Sequence, residues 1–80
     1  DIYSLGVMFF QMLAGDVPFK GSSIPAIMKK HLSDPPPAFA ELGVQVPPAL
    51  EAAVRHTLEK DRSRRTQSVE QMVDELRSAI

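Results

Sequence analysis

The sequence predicts an all-α fold of four helices, and three features of the 80-residue chain support this. Apolar residues recur at the three- and four-residue spacing of amphipathic helices. Capping residues, glycines and prolines separate the periodic segments. No segment has the alternating pattern of a convincing strand. We expect helices over about 2–14, 23–33, 48–60 and 69–80.

The first predicted helix, 2–14, is apolar on nearly every side. Ser4 and Gln11 are its few polar side chains, and Gly15 stands where a left-handed residue would end it. A helix that is apolar all round belongs in the centre of a larger protein. Because the chain opens directly in this helix, we expect its start to be a boundary inside a domain. Met8 and Met12, one turn apart, are expected to pack in a core.

The second predicted helix, 23–33, has clear start and stop signals. Ser22 or Ser23 can cap it, Pro25 fits its first turn, and the three prolines after Asp34 must end it. Lys29 and Lys30 should lie outside. The expected apolar stripe comprises Ile24, Ile27, Met28 and His31 or Leu32.

The third and fourth predicted helices are also amphipathic. Ser68 and Gln71 fit a capping box at the start of the fourth, in which the serine reaches forward and the glutamine reaches back. The expected inner face of the third comprises Leu50, Ala53, Val54, Thr57 and Leu58. The expected inner face of the fourth comprises Val69, Met72, Val73, Leu76 and Ile80.

Composition excludes several classes of function. Nine basic residues against ten acidic ones give a net charge of -1, which provides no reason to expect a nucleic acid or an anionic membrane as partner. Without cysteine there is no disulfide, thiolate metal site or cysteine nucleophile. The longest apolar run is far shorter than the ~20 residues of a membrane span. The tract of three prolines is expected to form a rigid loop.

We expect no catalytic, cofactor-binding or metal-binding residues in this chain. The four glycines are too dispersed for a phosphate-binding loop. His31 and His56 lie on different predicted helices without partners at metal-ligand spacing. His31 is expected at a helix C-terminus, where the dipole favours its charge, and His56 at the surface. Glu59 and Asp61 are expected to form solvated ion pairs with the arginines that follow.

Three motifs in order resemble the C-lobe of protein kinases. D-I-Y-S-L-G-V, from Asp1, resembles the D-x-[WY]-S-x-G-[VC] signature of that family's central C-lobe helix. F-Q-M-L-A-G from Phe10, followed by V-P-F, is similar to Y-E-M-L-x-G and P-P-F. L-E-K-D from Leu58, with Arg65 four residues beyond the aspartate, is similar to L-x-K-D-P-x-x-R. The chain therefore resembles the C-terminal part of the C-lobe of a serine/threonine protein kinase, of bacterial type.

The resemblance implies structural roles for four residues. The residue matching Asp1 accepts hydrogen bonds from the catalytic loop, and those matching Met8 and Met12 anchor an apolar column that leads to the adenine ring. The arginine matching Arg65 pairs with the glutamate of the A-P-E motif in the activation segment. Two positions of the connector, 62 and 66, depart from the family pattern, which should loosen it.

The resemblance also implies what a parent protein would do. It would use ATP and Mg²⁺ to phosphorylate protein serine or threonine, through a glycine-rich loop, a strand lysine, H-R-D and D-F-G. None of these motifs occurs in the 80 residues, so we expect no activity from this chain alone. The expected partners are the upstream part of the kinase domain, protein substrates docking on the second helix, and a second copy of the isolated chain. We expect a cytoplasmic location. The alternatives are a pseudokinase-derived module and a free-standing helical interaction module.

Overall fold

A computed structural model describes all 80 residues and contains four α-helices, one 3-10 turn and no strand. The elements are α1 (Ile2–Ala14), α2 (Ile24–Ser33), the 3-10 turn (Phe39–Leu42), α3 (Pro48–Thr57) and α4 (Val69–Ser78). The predicted all-α fold with four helices is confirmed. None of the helices has the length and apolar character that a membrane-spanning segment needs.

Side-chain caps set the starts of three helices. Asp1, Ser23 and Ser68 each accept a hydrogen bond from the backbone N–H three residues further on. The predicted capping box differs in one respect. The Gln71 side chain accepts from the N–H of Gln67 at 2.9 Å, one residue before the cap. The glutamine side chain thus holds the residue before the cap. It does not accept from the backbone N–H of the cap residue itself, as it would in a capping box.

α3 ends at Thr57, three residues before the expected end at 60. The Leu58 N–H bonds to a carbonyl three residues back, which tightens the last turn. The carbonyl of His56 accepts from the Thr66 N–H at 3.4 Å, and the Arg65 side chain binds the carbonyls of residues 59 and 60. The connector after α3 therefore supplies the donors that a longer helix would have supplied itself.

α3 is the centre of the fold, because it packs against α1 on one side and α4 on the other. The rings of Phe10 and Phe39 stack in the core with centroids 4.7 Å apart. The prediction for the inner face of α3 is confirmed, with Leu50 at its half-buried edge. The buried apolar core comprises Phe10, Phe39, Ala53, Val54, Leu58, Met72 and Leu76.

α1 and α3 approach each other most closely at Gly6. A Cβ atom on Gly6 would lie 2.1 Å from Oγ1 of Thr57 and 2.8 Å from its Cβ. Thr57 is buried, and its hydroxyl donates to the Val54 carbonyl at 2.5 Å. Only glycine allows this approach. At the other end of α1, Gly15 has a φ of 81°, the left-handed conformation expected of a glycine that ends a helix.

The proline loop after α2 is tied to α3 by two hydrogen bonds. Arg55 donates to the Pro36 carbonyl at 3.1 Å, and the Glu51 carboxylate accepts from the Phe39 N–H at 2.9 Å. These contacts agree with a rigid loop at this position. They also place Phe39 for its stack on Phe10.

The molecule is thin, with extents of 37 × 30 × 15 Å, so each helix exposes part of its apolar face. The predicted stripe of α2 is wrong in part, because Ile27 and His31 are half-buried while Ile24, Met28 and Leu32 are exposed. α2 contains no buried residue at all.

The prediction for the inner face of α4 is also wrong in part, because it includes residues that are exposed. Only Met72 and Leu76 are buried, whereas Val69, Val73 and Ile80 are exposed. One helix, α3, covers α4, and a single neighbour covers only one side of an apolar stripe.

Candidate functional site

Three segments of the chain meet around Tyr3 at the N-terminal end of α1: α1 itself, α2 and the connector after α3. The Tyr3 hydroxyl lies 2.8 Å from Nδ1 of His31 on α2 and 3.3 Å from Nζ of Lys60, which follows α3. The guanidinium of Arg65 lies 5.0 Å from the centroid of the Tyr3 ring. We call Tyr3, His31, Lys60 and Arg65 the Tyr3 cluster.

Arg65 is held in one orientation by backbone carbonyls. Its Nε donates to the Glu59 carbonyl at 2.9 Å and its Nη2 to the Lys60 carbonyl at 3.3 Å, while its Cζ lies 5.0 Å from the centroid of the Tyr3 ring. The side chain is partly exposed, and Nη1 makes no hydrogen bond within the chain. No carboxylate lies within ion-pair distance, since the two ion pairs of the structure join other residues. Arg65 is thus an oriented cation without an acidic partner.

Lys60 is the second cation of the cluster. Its ammonium donates to the Lys30 carbonyl at 3.2 Å and to the Tyr3 hydroxyl, and it lies 4.1 Å from the centroid of the Phe19 ring. Burial lowers the pKa of Lys60; Asp34 opposes this shift and Arg65 adds to it. Burial likewise raises the pKa of Tyr3, against the effect of Arg65. Burial is the largest cause of both shifts, which indicates a partly dehydrated site.

Asp1 lies at the edge of this site. Its Oδ1 accepts from the Ser4 N–H at 2.9 Å, while its other oxygen makes no hydrogen bond within the chain. A cavity of about 260 Å³ lies between Asp1 and the cluster. It is smaller than the roughly 300–1,000 Å³ of ordinary small-molecule sites, so it suits a side chain better than a nucleotide. Its lining comprises Asp1, Tyr3, His31, Leu32, Lys60 and Arg65.

Two larger cavities are lined by none of the four residues of the Tyr3 cluster. One of about 790 Å³ lies against the 3-10 turn, and one of about 690 Å³ against the proline loop. The first has Glu51 as its only charged lining residue, and the second mixes both signs of charge. Neither presents converging cations. The Tyr3 cluster is therefore the better candidate for recognition of an acidic group.

Met8 and Met12 are on the outer face of α1, 56% and 75% exposed. The expectation that they pack in a core is wrong within this chain. They form a short apolar strip one turn long, and nothing in these 80 residues covers it. Their role as anchors of an apolar column stays a prediction, as do the roles of Asp1 and Arg65.

Three polar residues have surroundings that the sequence did not indicate. His56, expected at the surface, is half-buried, and its Nδ1 lies 2.8 Å from a carboxylate oxygen of Glu75 on α4. Asp61 accepts from the Ser63 N–H and hydroxyl instead of pairing with an arginine, and these hydrogen bonds lower its pKa. The pKa of His31 is lowered by burial and then by Lys60. The expectation that the helix dipole favours its charged form is therefore wrong.

No three histidine, aspartate or glutamate side chains converge in the structure. Tyr3, His31, Phe19 and Lys60 were not predicted from the sequence as site residues. The proximity of the Tyr3 ring to Arg65 arises only in the fold, because the two residues are far apart in the sequence.

No protein-family model matches the chain. Curated proteins do match. The probable serine/threonine-protein kinase PknB of Lactococcus lactis is 38% identical over 76 residues, which cover 95% of this chain and 12% of the relative. The serine/threonine-protein kinase PksC of Streptomyces coelicolor is 39% identical over 75 residues, 94% of this chain and 14% of the relative. PrkC of Bacillus subtilis, also a serine/threonine-protein kinase, is 33% identical over 80 residues, 100% of this chain and 12% of the relative.

The chain is a kinase-related region. It spans about an eighth of the length of the bacterial serine/threonine kinases that it matches. The similarity extends over nearly the whole of this chain, so it includes α1, the Tyr3 cluster and α4 together.

Proposed function

We propose that the chain is the C-terminal, helical part of the C-lobe of a serine/threonine protein kinase. Its function there is to hold the catalytic loop and the activation segment in place. The order of the three motifs, the all-α fold and the similarity to bacterial kinases support this proposal. The observation that carries it is Arg65, oriented by two carbonyls near the Tyr3 ring and lacking an acidic partner.

Arg65 is arranged to receive a carboxylate. A guanidinium whose orientation is already fixed loses little entropy when it binds, and Nη1 is directed away from its two carbonyl partners. Lys60 adds a second positive charge beside the same cavity. The glutamate of an A-P-E motif has the charge and size that such a cavity fits. Asp1, with one oxygen free of hydrogen bonds within the chain, is placed to accept backbone N–H groups of the catalytic loop.

Met8 and Met12 have a related role in this proposal. In a complete kinase domain, upstream segments would cover both methionines and add further apolar side chains, so that together they form an apolar column. In the isolated chain, a second copy could cover the strip through pairing of the two α1 helices. Burial of each methionine would contribute about 1.5–3 kcal/mol.

A complete parent would transfer the γ-phosphate of ATP to serine or threonine of a protein substrate. ATP and Mg²⁺ would be held by residues outside these 80, because the chain contains neither the nucleotide-binding motifs nor a magnesium site. Such a domain would work in the cytoplasm, where ATP is supplied.

A second candidate function is that of a protein-interaction module without phosphoryl transfer. The exposed stripe on α2 favours it, because Ile24, Met28 and Leu32 are 73%, 58% and 75% exposed at successive turns. Lys29 and Lys20 are exposed nearby. Charge complementarity then indicates an amphipathic, acidic segment of a protein as the occupant. In an active kinase, the same surface would dock protein substrates.

A chimera tests the main proposal. The 80 residues replace the matching segment of PrkC from Bacillus subtilis, and the chimera is assayed for phosphorylation of a protein substrate. We expect activity in the chimera and a loss of more than about tenfold with Arg65→Ala, since an unpaired buried carboxylate costs about 3–5 kcal/mol. Arg62→Ala is the matched control, because Arg62 is exposed and its side chain makes no hydrogen bond.

A folded but inactive chimera would contradict the kinase assignment. Equal activities of the Arg65→Ala and Arg62→Ala variants would contradict the role of Arg65. In an active chimera, Met28→Glu should lower phosphorylation of a protein substrate but not of a short peptide. Equal effects on both substrates would exclude α2 as a docking surface.

A further inference from the structure

His31 joins α2 to the rest of the Tyr3 cluster. Its Nδ1 lies 2.8 Å from the Tyr3 hydroxyl, and its ring meets the ring of Phe19 edge-on at a centroid distance of 4.8 Å. α2 itself contains no buried residue, and its exposed stripe contributes nothing to this attachment. The contacts of His31, together with the Lys60 hydrogen bond to the Lys30 carbonyl, therefore hold the C-terminal end of α2 in place.

The hydrogen bonds of the cluster have a fixed direction. Lys60 carries only donors, so the Tyr3 oxygen accepts from its ammonium at 3.3 Å. The Tyr3 hydroxyl proton is then directed to Nδ1 of His31, which accepts it only as an unprotonated nitrogen. A protonated Nδ1 would need the same tyrosine oxygen as an acceptor and would leave the hydroxyl proton without this partner. The series of hydrogen bonds from Lys60 through Tyr3 to His31 is therefore complete only while the imidazole of His31 is neutral.

The charges around His31 also oppose its protonation. Lys60 and Arg65 face it across the cavity of about 260 Å³. The acidic groups nearby are Asp1 on α1 and Asp34 after α2, and neither forms an ion pair with His31. Asp1 accepts from the Ser4 N–H through Oδ1, and its other oxygen forms no ion pair with His31. An imidazolium would thus add a third positive charge to the site without a carboxylate partner.

We propose that His31 is a pH-dependent latch, which holds the C-terminal end of α2 against α1 while its ring is neutral and releases it on protonation. The latch is defined by contacts within the 80 residues. The latch would act in the same way whether or not the chain is part of a kinase.

The sign of the pH dependence follows from the proton balance. The folded arrangement disfavours the charged ring, because burial and then Lys60 lower the pKa of His31. Released α2 would take up a proton at the ordinary histidine pKa of about 6.5. Docking of α2 is therefore fully stabilised above about pH 6.5 and weakens as the pH falls below it.

Amide hydrogen exchange of the 80-residue chain between about pH 7.5 and pH 5 tests the latch, with rates corrected for intrinsic exchange. We expect exchange in α2 to accelerate by roughly threefold to tenfold per pH unit below about pH 6.5, since one linked proton allows at most about tenfold. Exchange in α3 and α4 should change much less. Near-ultraviolet circular dichroism gives a second readout, because Tyr3 is the only tyrosine and there is no tryptophan.

Two variants and one control separate the latch from other causes. His31→Gln should remove the acceleration in α2. Tyr3→Phe should give fast exchange in α2 already at neutral pH. His56→Gln is the control, because the His56 side chain pairs with Glu75 on α4 and not with a residue of the Tyr3 cluster, and this variant should keep the acceleration.

Three results would overturn the proposal. Acceleration that persists in His31→Gln would assign it to another group. Unchanged protection of α2 in Tyr3→Phe at neutral pH would exclude the hydrogen bond as the attachment. Equal acceleration in α2, α3 and α4 would indicate global unfolding instead of release of one helix.

Discussion

The close approach of α1 to α3 makes Gly6→Ala the most informative substitution in this fold. An added Cβ would lie 2.1 Å from Oγ1 and 2.8 Å from Cβ of Thr57, and 3.2 Å from Cδ2 of Leu58. The first two distances are below any ordinary contact. The Thr57 hydroxyl has no easy escape, because it is buried and donates to the Val54 carbonyl. α1 must therefore move away from α3.

Two opposing contributions to the free energy of unfolding decide how strongly Gly6→Ala changes stability. Alanine in place of glycine within a helix stabilises it by about 1 kcal/mol. Overpacking of a well-packed interior costs about 1–3 kcal/mol, and the contact at Gly6 involves the rigid part of its neighbour, which favours the upper end. We expect the free energy of unfolding to fall by about 1–2 kcal/mol, or roughly 4–16 °C in melting temperature for a domain of this size.

Urea unfolding followed by far-ultraviolet circular dichroism measures this change. Ser4→Ala is the matched control, because Ser4 is exposed on the same helix and its replacement changes helix propensity without a new contact. The double variant Gly6→Ala/Thr57→Ala removes the closest contact, so the two substitutions should couple by more than about 0.5 kcal/mol. A Gly6→Ala variant as stable as the parent, or strictly additive changes, would refute the close packing of α1 on α3.

Three further predictions concern the proposed site and surfaces. Arg65→Ala should lower the free energy of unfolding by about 1–2 kcal/mol, through loss of two carbonyl contacts and the stack on Tyr3; a change below the error of denaturant melts would show that this orientation is not maintained. Light scattering over a dilution series should detect self-association, which Met8→Glu with Met12→Glu should abolish; a monomeric parent at high concentration would exclude the α1 pairing. Calorimetric titration with Mg-ATP should show no saturable heat, and micromolar binding would contradict the assignment of ATP to other residues.

Local signals in the sequence were sufficient to predict the four helices and most of the positions at which they begin and end. Ser68 and Gly15 act through atoms within a few residues of themselves, so their roles follow from residue type and position. The end of α3 was misjudged because the His56 carbonyl accepts from the Thr66 N–H, and not from a further turn of helix. Donors from beyond a helix leave no trace in the periodicity of the helix itself.

The Tyr3 cluster could not be assembled from the sequence for a similar reason. Tyr3 is 28 positions from His31 and 57 from Lys60, and periodicity gives only the face of a helix, not the neighbour that covers it. The same limit explains the α4 stripe. Val69 and Val73 share the apolar arc of Met72, but α3 covers only one side of that arc.

The position of the Tyr3 cluster has a consequence for the stability of the site. α1, α3 and α4 share a buried core, while α2 has no buried residue and is attached mainly through polar and aromatic contacts. Elements with few buried contacts open at low cost without unfolding the rest. Lys60 donates both to the Tyr3 hydroxyl and to a carbonyl of α2, so release of α2 removes one of its acceptors and frees the Tyr3 ring that faces Arg65. We therefore expect release of α2 to change the surroundings of Tyr3 and Arg65 without any change in the core, while the two carbonyl contacts of Arg65 stay in place.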